Sequence, residues 1–159
     1  MPKDTTSISV TKVNKNSNQD EVINRNTLED KLGFRIRMAE RAIYKSFVQQ
    51  VGMTPVQYSV FTLVADNEGM SQGVIGEALN LDRASTMAIM DKLESSGLVE
   101  RRKSPIDRRR YALYLTAKGR QEIVTTEAKV KATDEQFKQR LSDKQLQELI
   151  RCLSLIRQD

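Results

Sequence analysis

The sequence predicts a mainly α-helical fold with one small β-hairpin. Three observations carry this. Apolar residues recur at helical spacing along most of the chain. Only one region, near residues 98 to 115, alternates in the period-two manner of strands. The positive charge is concentrated between those two strands. The 159 residues carry 26 Lys plus Arg against 21 Asp plus Glu, a net charge of +5. Residues 101 to 110, RRKSPIDRRR, hold six basic groups and one acidic group, and the rest of the chain carries 20 of each sign.

Residues 1 to 26 are rich in Lys, Asn, Ser, Thr, Gln and Asp and read as a flexible extension. A first helix is expected from Thr27, as N-cap, to about residue 50. Leu28, Leu32, Ile36, Ala39, Ile43 and Phe47 form its apolar stripe, and Gly52 ends it. Thr54-Pro55 is a cap followed by proline at the first helical position. Val56, Val60, Leu63 and Val64 give the inner face of that second helix, and Asn67 to Gly69 form a turn.

Ser71 is expected to cap a short helix through Leu79, followed by a turn at Asn80-Leu81-Asp82. A further helix runs from about Arg83 to Ser96 and stops at Gly97. Ile75, Leu79, Leu81, Thr86 and Ile89 stand where two steeply crossing helices face each other, with Gly76 at the crossing. Asn80 occupies a turn position of positive φ, which Asn tolerates. This is the pattern of a helix-turn-helix. Leu98 to Lys103 and Tyr111, Leu113 and Leu115 then form the hairpin, with a basic tip.

Thr116 caps a long helix over about 117 to 140, in which Ile123, Val130 and Phe137 repeat every seven residues. Ser142 and Gln145 form a capping box. It opens a last helix with Leu146, Leu149, Ile150, Leu153 and Ile156 on one face. The domain reading is a flexible segment 1–26 and a single domain 27–159. Within it, 27–50 and 117–157 are dimerisation helices and 54–116 is a winged-helix DNA-binding lobe.

The composition excludes much chemistry. With no histidine there is no Ser-His-Asp or Cys-His nucleophile and no His-ligated zinc, and one cysteine builds no thiolate metal site. Phosphate-cradling glycine motifs are absent. The expectation is a non-enzymatic binding protein with no cofactor and no metal. No apolar run approaches the roughly 18 residues of a membrane helix, and a single cysteine, Cys152, fits a reducing cytoplasm.

A basic hairpin directly after a helix-turn-helix has a simple physical use. The second helix enters a major groove, while arginines of the wing reach the adjacent minor groove or the backbone. Thr86, Ile89, Met90 and Leu93 face inward on that helix. Arg83, Ala84, Ser85, Met87 and Ala88 remain for DNA, with Arg101, Arg102, Lys103, Arg108, Arg109 and Arg110 on the wing. Hydrogen bonding to bases then leans on Arg83 and Ser85, while Ala84, Met87 and Ala88 suit thymine methyls.

The segments SPIDRRRYALYLTAKGR and LDRASTMAIMDKLESSGLVERR resemble the wing and recognition helix of the MarR family, the multiple antibiotic resistance regulators. Asp107, Arg109, Leu113, Leu115, Thr116 and Gly119 carry the wing signature. The resemblance spans about residues 27 to 157. It implies a homodimeric winged helix-turn-helix core flanked by N- and C-terminal dimerisation helices. Such a dimer binds a pseudo-palindromic operator as a repressor and is released by a small aromatic effector, an aromatic acid or its CoA thioester. It further implies Arg109 as the leading wing contact and Asp107 as a wing-orienting residue. The family commonly has a polar residue at Met87 and arginine at Ala88, so specificity here leans on apolar contacts and on wing readout of shape. Effector candidates are Arg35, Arg37, Arg41, Tyr44 and Tyr58. Alternatives are a winged-helix protein-interaction module and a redox-responsive regulator using Cys152, which reads more simply as a structural thiol.

Overall fold

The computed structural model describes residues 25–104 and 111–157. Its contacts divide the chain into two units, residues 1–43 and 44–159. In the first, helix α1 (Asn26–Glu29) precedes α2 (Leu32–Val51), which runs across the division. This differs from the single helix expected from Thr27. Arg25 stands at the N-cap without a side-chain cap bond, Thr27 lies inside α1, and the chain turns at Asp30. Asp is a weak helix former because its side chain competes for backbone donors, which favours a break there. Arg25 pairs with Glu29 at 3.5 Å. Arg25 and Arg37 lie 5.9 and 5.4 Å from the centre of the Phe34 ring. Leu28, Leu32, Ile36 and Ile43 of the expected stripe are exposed.

The second unit holds α3 (Pro55–Asp66), α4 (Gln72–Ala78), α5 (Arg83–Ser95), strands β1 (Val99–Lys103) and β2 (Tyr111–Leu115), α6 (Ala117–Lys138) and α7 (Asp143–Ile156). Thr54 opens α3 with a full capping box, its hydroxyl accepting from the Gln57 amide and the Gln57 side chain accepting from the Thr54 amide. Ser71 has the cap backbone conformation but makes no side-chain cap bond. Thr116 and Ser142 cap α6 and α7 as the sequence predicts. The strands pair antiparallel in the register Val99↔Leu115 to Lys103↔Tyr111.

The core joins α3, α4, α5 and the hairpin: Val60, Phe61, Val64, Ile75, Met90, Leu93, Leu98, Val99, Leu113 and Leu115. Each such side chain contributes about 1.5–3 kcal/mol on full burial, so this cluster is what orients α5. Tyr111 departs from its expected alternation: Leu113 and Leu115 are buried together with Ala112, while Tyr111 is exposed. Strand β2 also pairs with the α3–α4 connection, where the Gly69 amide donates to the Leu113 carbonyl and the Leu113 amide to the Met70 carbonyl.

Two predicted backbone features hold: Asn80 has φ +52°, and a Cβ on Gly76 would lie 2.6 Å from Thr86 Oγ1. Within the single chain, α6 buries a strip beside the apolar heptad assigned to dimerisation. Gly119, Thr126 and Thr133, seven residues apart, are buried, while Ile123, Val130 and Phe137 are half-buried. Gly119 permits a close approach to β1, since a Cβ there would sit 2.0 Å from the Leu98 carbonyl oxygen. Helix α7 buries none of its residues; Leu149, Ile150, Leu153 and Ile156 are exposed. No helix of the described residues is long and apolar enough to cross a membrane.

Candidate nucleic-acid interface

The second helix of the helix-turn-helix, α5, is anchored by Thr86, Met90 and Leu93, all buried. Its start is held by Asp82, which acts as the N-cap as well as closing the turn. The Asp82 carboxylate accepts from the Ser85 amide at 2.8 Å and from the Ser85 hydroxyl at 2.6 Å. These bonds, the hydroxyl's foremost, hold the Asp82 carboxyl below its ordinary pKa. Thr86 donates its hydroxyl to the Asp82 carbonyl at 2.8 Å, tying the cap to the helix crossing.

Anchored this way, α5 turns Arg83, Ala84, Ser85, Met87 and Ala88 outward; all five are exposed. Met87 is 47% exposed. Ser85, however, has committed its hydroxyl proton to Asp82, so toward a base it can only accept. Arg83 is the one cation among the five. The outward face of the first half of α5 is therefore largely apolar, with one guanidinium at its start.

A groove of about 680 Å³ opens between α4 and the start of α5, lined by residues of α4, α5 and β2, including Gln72, Glu77, Arg83, Met87 and Tyr111. Gln72 and Tyr111 were not singled out from the sequence. For Tyr111, strand alternation suggested an inward side chain, whereas it is 56% exposed at the base of the hairpin.

Of the ten-residue basic stretch, residues 101 to 104 are described; Asp107, Arg108, Arg109 and Arg110 lie outside the described residues. Arg101 does not project freely. Its Nη2 donates to Asp91 at 2.7 Å and to Gln72 at 3.3 Å, and its Nη1 to Glu94. Arg102 donates to Glu100 and lies 4.8 Å from the centre of the Tyr114 ring. Lys103 is exposed. Two of the three described wing cations are thus already paired with carboxylates.

The effector candidates do not form one site within either unit. Arg35, Arg37 and Arg41 are exposed on α2, where Arg35 donates to the Glu29 carbonyl and Arg37 packs on Phe34. In the second unit Tyr44 is exposed, and Tyr58 donates to Glu127 at 2.6 Å. Burial, then the bond to Glu127, pushes the Tyr58 phenol above its ordinary pKa. A cleft of about 600 Å³ does open between α3 and α6, lined by Thr62, Asp66, Ile123, Val124, Glu127 and Lys131 among others. None of the five candidates lines it, although Tyr58 holds its Glu127. No sequence pattern marked this cleft, because it joins residues more than 50 positions apart. Cys152 is partly buried on α7, with Sγ 3.6 Å from Glu148 Oε1.

Comparison with known proteins agrees with this geometry. Residues 51–110 match the family model described as MarR family. The chain is 36% identical over 138 residues to a Thauera aromatica protein provisionally described as a transcriptional regulatory protein for the hcr operon. That match covers 84% of this chain and 83% of the relative. Among solved structures, the transcriptional repressor CouR bound to a 23-mer DNA duplex superposes with a TM-score of 0.77 at 30% identity, covering 82% of this chain and 95% of CouR. CouR from Rhodococcus jostii RHA1 bound to p-coumaroyl-CoA gives a TM-score of 0.68 at 26% identity, covering 81% and 93%.

Proposed function

The chain belongs to the MarR family of transcriptional regulators, and from that premise we propose that it is a homodimeric repressor whose operator binding is relieved by an aryl-CoA thioester or the parent aromatic acid. The observation that carries the DNA half is the disposition of α5. Buried Thr86, Met90 and Leu93 hold it rigidly, and Arg83, Ala84, Ser85, Met87 and Ala88 stand clear of the body beside the hairpin. The likeness to CouR on a DNA duplex supports the same face meeting a major groove. Arg109, with Arg108 and Arg110, is proposed as the wing contact and Asp107 as its orienting partner.

The effector half rests on the likeness to CouR bound to p-coumaroyl-CoA. The cleft between α3 and α6 is a place for an aromatic group, being walled by Ala65, Ile123, Val124 and Ala128. Arg35, Arg37 and Arg41, on the first unit, remain separate candidates for contact with an anionic effector. Dimerisation is supported by the uncovered apolar face of α7.

The test is selection of bound duplexes from a random library, then footprinting of the enriched sequence with and without p-coumaroyl-CoA and related thioesters. Two protected half-sites about one helical turn apart are expected, with protection lost on adding an effective thioester. Enrichment of no sequence, or a single asymmetric half-site, would refute the proposal.

A further inference from the structure

Arg101 is the best-bonded arginine of the basic stretch among the described residues, and its bonds all lead back to the helix-turn-helix. It starts on β1 and reaches Asp91 and Glu94 on the last turns of α5, and Gln72 at the start of α4. One side chain therefore joins three elements: the wing strand and both helices of the helix-turn-helix. The guanidinium suits this role because its planar fork can meet several acceptors at fixed angles, which an ammonium cannot do. Its side chain is 22% exposed, against 61% for Asp91 and 41% for Glu94.

We propose that Arg101 is a positioning residue for DNA recognition, fixing the wing against α5, and is not itself a phosphate contact. The core ties β1 to the helix-turn-helix at the strand's buried start. Strand β1 is buried only at Val99, and its outer residues Arg102 and Lys103 are exposed. Arg101 is the point where the exposed half of β1 is tied to the reading helix. The same bonds neutralise Asp91 and Glu94, two carboxylates that would otherwise stand on the helix that approaches DNA.

This rests on the DNA-binding reading above, and the experiment separates the two. The probe is the duplex enriched from a random library by the full wild-type chain. Electrostatics alone predicts that D91N/E94Q, which removes two negative charges and releases an arginine, binds that duplex more tightly. A positioning role predicts the opposite sign, a loss on the order of tenfold, the size of one lost base contact. R101K separates the same alternatives, since lysine keeps a phosphate contact but its single nitrogen cannot stand at both the Nη1 position on Glu94 and the Nη2 position on Asp91 and Gln72. It is expected to lose a similar factor while the slope of log K against log salt stays within about one per dimer of wild type. Far-UV circular dichroism and thermal unfolding establish that the variants are folded; should R101K fail to fold, D91N/E94Q retains the test. Tighter binding by D91N/E94Q, or wild-type affinity in R101K, overturns the role of Arg101. A wild-type chain that enriches no sequence overturns the DNA-binding reading itself.

Discussion

What α5 offers to DNA is decided by a few side chains. Ser85 gives its proton to Asp82, so Arg83 supplies the hydrogen-bond donors and Ala84, Met87 and Ala88 supply apolar surface. Such a face suits the methyl group of thymine, which the proposed function has it meet. Replacing thymines by uracils in the enriched half-site is therefore expected to weaken binding by about fivefold or more at a contacted position, at the low end of the range for one lost base contact. Equal affinity for the uracil duplex would refute the apolar reading. Ala88→Arg is expected to shift the sequence enriched from random DNA, and an unchanged preference would remove α5 from the groove. Two glycines give stability tests of opposite sign. Gly119→Ala drives a methyl into the Leu98 carbonyl and should cost about 1–3 kcal/mol. Gly33→Ala, in α2 with open space around it, should stabilise by up to about 1 kcal/mol. Thermal unfolding of both variants reads the two signs.

Among the elements, α6 buries a strip that no apolar pattern marked. Its buried strip is small and polar, and the Thr126 hydroxyl is enclosed without a hydrogen-bond partner. Thr126→Val keeps the shape and removes the orphaned hydroxyl, so it should raise stability by about 1 kcal/mol; a lower melting temperature would reveal a partner for that oxygen. Glu68 links α6 to the hairpin, accepting from the Leu115 amide at 2.8 Å and from Arg120 at 3.0 Å. The bond to Arg120, then that to Leu115, holds its carboxyl below the usual carboxylate range. A depressed folded-state value stabilises the fold above the unfolded pKa, about 4.3, and that stabilisation is lost as pH falls through the folded value. Glu68→Gln should therefore flatten the acid limb of a stability–pH curve while leaving its slope near neutrality unchanged.

These elements also mark how far the sequence reaches. The helix-turn-helix offsets at Ile75, Leu79, Leu81, Thr86 and Ile89, the caps at Thr54, Thr116 and Ser142, and the hairpin were legible because each is a local pattern. The bonds of Arg101 were not, because nothing local distinguishes a cation paired across ten residues from one facing solvent. The pairing of Gly69 and Met70 with Leu113 has no strand-like sequence of its own. The strip of Gly119, Thr126 and Thr133 that α6 buries within the chain was not legible, because small and polar residues carry no apolar periodicity. Asp82 looked like a turn residue because caps and turns use the same side chain.

Across the whole molecule the charge is distributed differently than the tally of residues 101 to 110 implies. Arg101 and Arg102 are neutralised by Asp91, Glu94 and Glu100. Among the described residues, Lys103 is the one cation of that stretch that is exposed without a carboxylate partner, and the proposed wing contact rests on Arg108, Arg109 and Arg110. Helix α7 adds a second property: with Leu149, Ile150, Leu153 and Ile156 uncovered, a single chain leaves a continuous apolar face in water. Leu153→Glu is expected to shift sedimentation toward the monomer and to weaken operator binding by losing the second half-site. A salt titration of the full chain on its enriched duplex bears most directly on the claim that α5 and a basic wing bind DNA. With six to eight phosphates neutralised per dimer, log K should fall against log salt with a slope of about −5 to −7, and Arg109→Ala should make it shallower by about two. A slope near zero, or one indifferent to Arg109, would mean that the wing does not meet the DNA backbone.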